Sequence, residues 1–260
     1  MTSQTVPDSR RISWSRMKSL LGMQRRELLR DGRSFWFSFL FPFAILGLFL
    51  LIFGSIDAYS GGEGAVDQII AMSLFMAVTS IAFTATASPL ATLRRDGVLR
   101  LLSTTPVSRA EFLITHIPVR LVLVAFQTLV ILLLGWLLDA FSLRVIPAAV
   151  GVSLLGMVLF GSLGYLLGGV LPGPDAASNL GTLVQLLAFF LSGLVFPLEA
   201  FPAQLESLLT YMPFTFFADL LLSVLTGIPA VHPVWLSVMV VLGTSLVFSF
   251  VAARIFRWEE

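Results

Sequence analysis

The charged side chains of this sequence are few and grouped. The densest group is RRDGVLRLLSTTPVSRAEFL, residues 94–113. Arg94, Arg95, Arg100 and Arg109 offer cations, Asp96 and Glu111 offer carboxylates, and Thr104-Thr105-Pro106 interrupts the middle. Such a set suits charge-complementary docking of a protein partner better than bond-making chemistry. Asp96 reads as the N-cap of a short helix from Gly97 to about Ser103. Pro106 ends that helix, because proline disfavours a helical residue before it. Ser108-Arg109-Ala110-Glu111 then reads as a capping box that starts the next long helix. The loop is expected to be a short capped helix followed by a fixed turn. A plain solvated charged loop is the competing reading.

A second group lies in apolar surroundings. His116, Arg120 and Gln127 fall on one face of a helix. Two readings stand for Arg120: a cation facing the bundle interior, or one snorkelling to the interface. Ser73, Ala77, Ser80, Thr84 and Ser88 form one stripe, and Ser178, Thr182, Gln185 and Ser192 another. Small and hydroxylated stripes let helices approach and share hydrogen bonds. They would also suit the lining of a translocation path, for which Ser80, Thr84, Gln127, Thr182, Gln185 and Ser192 are the candidates. Gly164-x-x-x-Gly168 is a close-packing signature.

Several chemistries find no residues. The single lysine, Lys18, follows Met17, so the Gly-Lys-Ser/Thr of a phosphate-binding loop is absent. There is no cysteine for a disulfide or thiolate metal site. The two histidines, His116 and His232, are far apart, and no acid falls mid-span. No cofactor is expected on this chain, and nothing in it points to nucleic acid.

The elements that carry these groups follow from composition. A chain with 57% hydrophobic and 12% charged residues and a mean hydropathy of +0.94 is far from a soluble domain, which would be about 25% charged. The apolar residues come in blocks long enough to cross a bilayer. The expected fold is all-α and polytopic, with six spans: Phe35 to Ile56, about Val66 to Leu93, Phe112 to Leu138, Val145 to Leu171, Ala176 to Phe196 and Val234 to Phe256. In domain terms, residues 1–34 form a cytoplasmic N-terminus with an interfacial amphipathic helix, and 35–256 the membrane domain. Residues 257–260 are a cytoplasmic tail. Basic residues cluster before the first span, in the loop 94–111 and after the last, so both termini are expected in the cytoplasm. The first apolar run starts too late and runs too long for a cleavable signal peptide. Between the last two spans, residues 197–230 are broken by Pro197, Pro202 and Pro213 around two short apolar helices, about Ala203 to Tyr211 and Phe214 to Leu225. Each is too short to cross, and the pair reads as a hairpin dipping into the outer leaflet.

With these residues in place, the chain resembles the membrane subunits of type-2 ABC exporters. The family's arginine- and glycine-containing loop ends in a Leu-x-x-Thr-Pro-Val-Ser-Arg phrase, here LLSTTPVSR from Leu101 to Arg109, preceded by Arg94, Arg95 and Gly97. A second phrase is carried by Ser192, Gly193, Pro197, Pro202, Pro213 and Thr215. The resemblance covers nearly the whole chain. Two departures stand out. Asp96 directly precedes Gly97 where many relatives carry glutamate, and Leu220 to Leu222 follow Asp219 where relatives often carry arginine.

The resemblance implies two membrane subunits, identical or related, in the plasma or inner membrane, served by two cytoplasmic ATPase subunits that hold ATP and Mg2+. Arg94, Arg95, Asp96, Gly97, Arg100, Leu101, Thr105 and Pro106 would meet the ATPase. Spans one, two and five would line the exit route, and the hairpin at Pro197, Pro202 and Pro213 would close it. The cargo class expected is amphipathic or apolar: a drug, natural product or lipid. Lipid flipping within the same family, and an ATP-independent assembly factor or intramembrane enzyme, are the alternatives.

Overall fold

A computed structural model describes residues 32–53, 65–97 and 109–255. The N-terminal amphipathic helix, the loop segment 98–108 with Arg100, Leu101, Thr105 and Pro106, and the C-terminal tail lie outside the described residues. Those that are described form helices joined by short connections, with no strand among them. The helices are α1 (Gly32–Phe53), α2 (Ala65–Ala82), a π-helical turn (Phe83–Ala87), α3 (Ser88–Arg95) and α4 (Arg109–Leu137). They continue as α5 (Ile146–Val170), α6 (Pro174–Leu191), α7 (Ala203–Thr210), α8 (Pro213–Thr226) and α9 (Val234–Ile255).

Among the described residues, four continuous helical stretches are long and apolar enough to cross a membrane: Val66–Arg95, Ile117–Leu137, Leu143–Val170 and Val234–Ile255. The bent pair Ala203–Thr210 and Pro213–Thr226, at 76° to one another, would make a fifth if taken as one span. Helix α6 begins with a polar turn, Asp175, Ser178 and Asn179, and its apolar part is correspondingly short. The two short helices expected between the prolines are present as α7 and α8.

Helix α2 is the hub. It is apolar on every side, and a helix of that kind buries its whole circumference. It packs against α1, α4, α5, α6 and α8, and every residue from Ile69 to Phe83 is buried. Two of its hydroxyls turn back on its own backbone: Ser73 Oγ donates to Ile69 O at 2.8 Å and Thr79 Oγ1 to Phe75 O at 2.8 Å. Phe75 joins an aromatic core with Phe160 of α5, Phe189 of α6 and Phe217 of α8, at centroid distances of 5.5, 6.0 and 5.4 Å. Helix α9 lies along α5 and turns Trp235, Met239 and Leu246 outward.

One expectation is corrected. Asp96 is not placed as the N-cap of a following helix. Its φ and ψ of −82° and 3° and its backbone N–H bond to Thr92 O put it at the C-cap of α3. Gly97, with φ of 69°, follows in the left-handed region and donates to Arg94 O, the usual way a helix stops. Aspartate favours both helix starts and turns, and Gly97 decides between them here.

Candidate functional site: two arginine anchors on the second helix

The rod formed by α2, the π turn and α3 runs from the buried centre to the charged loop. Its path is irregular at one place. Ser88 N–H bonds to Phe83 O, five residues back, which is the wide π register. The next residue, Pro89, has no N–H to donate. Ala85, four residues before Pro89, therefore has a carbonyl that no α-helical N–H can reach. Arg120 of α4 supplies the donor. Its Nε lies 2.9 Å from Ala85 O and 3.2 Å from Thr86 Oγ1. Arg120 is 3% exposed, so of the two sequence readings the interior one holds.

The glycines of α5 make room for this turn. A Cβ at Gly164 would stand 2.5 Å from Ala82 O, and one at Gly168 would stand 2.6 Å from Ala87 O. Gly164-x-x-x-Gly168 thus brackets the π turn from end to end. From α6, Gly181 lies against Phe83, where a Cβ would be 3.0 Å from Phe83 Cβ.

At the far end of α3, Arg94 reaches across to α5. Its Nη1 donates to Gly169 O and lies 3.5 and 3.4 Å from Gly168 O and Leu171 O. The last carbonyls of α5 have no helical partners, and a cation there also complements the helix dipole. Arg94, expected at an ATPase interface, thus caps a neighbouring helix within the chain. Arg95 points outward, with a 3.4 Å contact to Asp96, both side chains about half exposed. An exposed pair of this kind contributes little stability and leaves both charges open to a partner.

The expected path residues are placed as follows. Gln127 Nε2 donates to Phe39 O of α1 at 2.8 Å, beside the turn that Pro42 disturbs. Gln185 Nε2 lies 3.4 Å from Met76 O and 3.3 Å from Met76 Sδ, joining α6 to α2. Ser80 is buried on α2 and Thr84 half-buried in the π turn. Ser192 Oγ donates to Phe189 O at 2.9 Å and lies 3.5 Å from Leu194 N. Thr182 is on an exposed face of α6. The amides hold helices together, and Thr182 alone of this set is exposed on the isolated chain.

The proline-rich segment is a series of helix starts. Pro197 O accepts from Ala200 N at 3.0 Å, opening a single 3-10 turn. Pro202 O accepts from Leu205 N and Glu206 N at 2.8 and 2.9 Å, opening α7. Pro213 sits in the first turn of α8, where its missing N–H costs nothing. Thr215 Oγ1 donates back to Leu209 O at 2.7 Å and ties α8 to α7. Gly193, with φ of 87°, stops α6 before this series begins.

Sequence reasoning missed two features. Pro89, inside the second apolar block, was a visible sign of an interrupted helix. The other is Asp219, which accepts from Val231 N at 2.9 Å and His232 N at 3.1 Å. The His232 ring lies 4.3 Å from that of Phe216, so Asp219 fastens the loop before α9 onto α8. No local signal joins residues twelve or more apart across the left-handed Gly227. Leu220 and Leu221, which follow Asp219, are buried.

Comparison with curated proteins gives no match. The family model described as "ABC-2 family transporter protein" matches residues 55–254, which is most of the chain. The match takes in the hub helix, the charged loop and the proline-rich segment. The chain therefore belongs to the ABC-2 transporter family: it is a multi-pass membrane protein, the permease component of an ABC transporter, a kind of subunit that associates with an ABC ATPase partner.

Proposed function

We propose that this chain is the permease subunit of an ATP-driven exporter in the plasma or inner membrane. It has six spans, with α1 and α6 completing the set and α7–α8 forming an outer re-entrant hairpin. Both termini and the loop 94–111 face the cytoplasm. That loop, through Arg95, Asp96, Gly97, Arg100, Leu101, Thr105 and Pro106, with Arg94 at its root, docks the ATPase. Two ATPase copies, carrying ATP and Mg2+, serve this subunit and an identical or related second one. The cargo is amphipathic or apolar, in keeping with a bundle whose outward faces carry few charges.

The observation that carries this reading is the buried hub. The helix at the centre of the bundle continues through the π turn into α3 and ends at Arg95–Gly97, the root of the charged loop. A force applied at that loop acts directly on the core.

The test is reconstitution with the cognate ATPase in vesicles. Cargo movement is expected to stop when the phosphate-loop lysine of the ATPase is replaced. Arg95→Glu, which reverses an exposed charge, is expected to weaken ATPase binding about tenfold at low salt and less at high salt. Unchanged binding together with normal transport would contradict the docking surface. Topology has its own check in this cysteine-free chain. Tyr211→Cys and Val231→Cys, at side chains 72% and 77% exposed, are expected to label from outside intact cells. Labelling only after permeabilisation would reverse the orientation.

A further inference from the structure

Arg120 lies outside the charged loop and bonds to the turn through which the hub helix reaches that loop. We propose that Arg120 is a positioning residue that sets the rotation of α3, and with it the direction in which Arg95–Gly97 face the ATPase. This rests on the proposed ATPase coupling only in its last clause; the rotational setting stands on geometry alone.

A π turn holds one residue more than an α turn between the same points. Its conversion to α would turn everything beyond it by about 100° and shift it by about 1.5 Å. The contacts of α3 belong to the observed setting. Ala87 and Ala91 pack with Ala177 of α6, and Arg94 reaches Gly169 O. A rotation of that size would replace Ala91 at Ala177 by a neighbour and swing Arg94 away from α5. The setting depends on a donor for Ala85 O, because Pro89 cannot provide one and a half-buried carbonyl left unpaired is unfavourable. Arg120 Nε provides it, with Thr86 Oγ1 as a second acceptor. The segment is therefore held at both ends by arginines from different helices: Arg120 on the turn and Arg94 on α5.

The experiment uses the full chain and cysteine pairs. Ala91→Cys with Ala177→Cys reports the observed setting. Leu90→Cys or Thr92→Cys with Ala177→Cys reports a rotated one. With Arg120 present, the 91–177 pair is expected to cross-link about tenfold faster than either alternative. Arg120→Gln is expected to remove that preference, since losing a charged donor to a half-buried carbonyl shifts such an equilibrium about tenfold. Pro89→Ala returns a backbone N–H to the turn. That N–H meets Ala85 O in a continuous α register, so combined with Arg120→Gln it is expected to move cross-linking further to the rotated pairs and, if the single variant accumulates poorly, to restore accumulation. A purely steric or charge-anchoring role for Arg120 would not make accumulation depend on an N–H at residue 89. Retention of the 91–177 preference in Arg120→Gln, or in its combination with Pro89→Ala, overturns the proposal. In the assembled complex, ATPase stimulation by cargo should follow the same order of variants. If the cross-links behave as expected and no ATPase binds even the unsubstituted chain, the coupling reading fails and the role of Arg120 stands.

Discussion

Gly164→Leu is expected to leave no folded bundle, while Gly164→Ala folds with stability lowered by about 1–3 kcal/mol, the range for overpacking a tight contact. A Cβ at this position would stand 2.5 Å from Ala82 O, 3.4 Å from Ala82 C and 3.5 Å from Thr86 Cβ. The obstacle is a backbone carbonyl at the start of the π turn, so no side-chain rotation relieves it. Helix α5 must move away from α2. That movement loosens the Phe75–Phe160 and Phe83–Phe160 ring contacts and the fit of Gly168 against Ala87. Leucine adds three further carbons to the same contact. Gly151→Leu is the control on the same helix, because nothing lies within 4 Å of its added Cβ. It is expected to change stability by less than about 0.5 kcal/mol. Heating in mild detergent followed by size-exclusion chromatography compares the two. If Gly164→Leu survives as well as Gly151→Leu, the close approach of α5 to the π turn is wrong.

The pair Gly156 and Phe217 should show strong non-additivity. Phe217 is fully buried, and a Cβ on Gly156 would meet its ring at 2.2 Å from Cε2 and 2.3 Å from Cζ. Gly156→Ala alone forces the ring out of a cluster where it lies 5.4 Å from Phe75 and 5.7 Å from Phe160. The expected cost is about 2–3 kcal/mol. Phe217→Leu alone leaves a void at Gly156, at about 1–2 kcal/mol. Leucine lacks Cε2 and Cζ, the two closest of the three ring atoms within 3.0 Å, so the double variant should be less destabilised than the sum, by about 1 kcal/mol or more. Simple additivity in thermal unfolding would mean that the ring does not rest on Gly156.

These two sites show where sequence and structure part. Gly164-x-x-x-Gly168 was visible as a packing signature, because small residues at that spacing make a groove on one helix face. What fills the groove was not visible. The occupant is the carbonyl row of a π turn, and its width depends on Pro89, Arg120 and three glycines acting together. Gly156 carried no signature at all, since a ring from a helix sixty residues away defines its role.

The loop root shows the same division. Arg94 and Arg95 are adjacent and chemically identical, and both were read as partner-facing. Arg94 bonds to the end of α5 and Arg95 points out, because successive helical residues diverge by about 100° and only one can reach a given neighbour. Gln127 and Gln185 read equally well as lining or as packing. The structure places both against backbone carbonyls of other helices.

By itself the sequence determined the all-helical membrane character, the family resemblance and, among the described residues, the positions of the long helices. These rest on local quantities: the length of apolar runs, prolines that begin helices and glycines that end them. Only the tertiary structure decided that α2 is the hub, that the turn following it is widened, and which polar groups hold helices together. Those outcomes depend on which carbonyls lack donors and which surfaces meet, and such pairings join residues far apart in the chain.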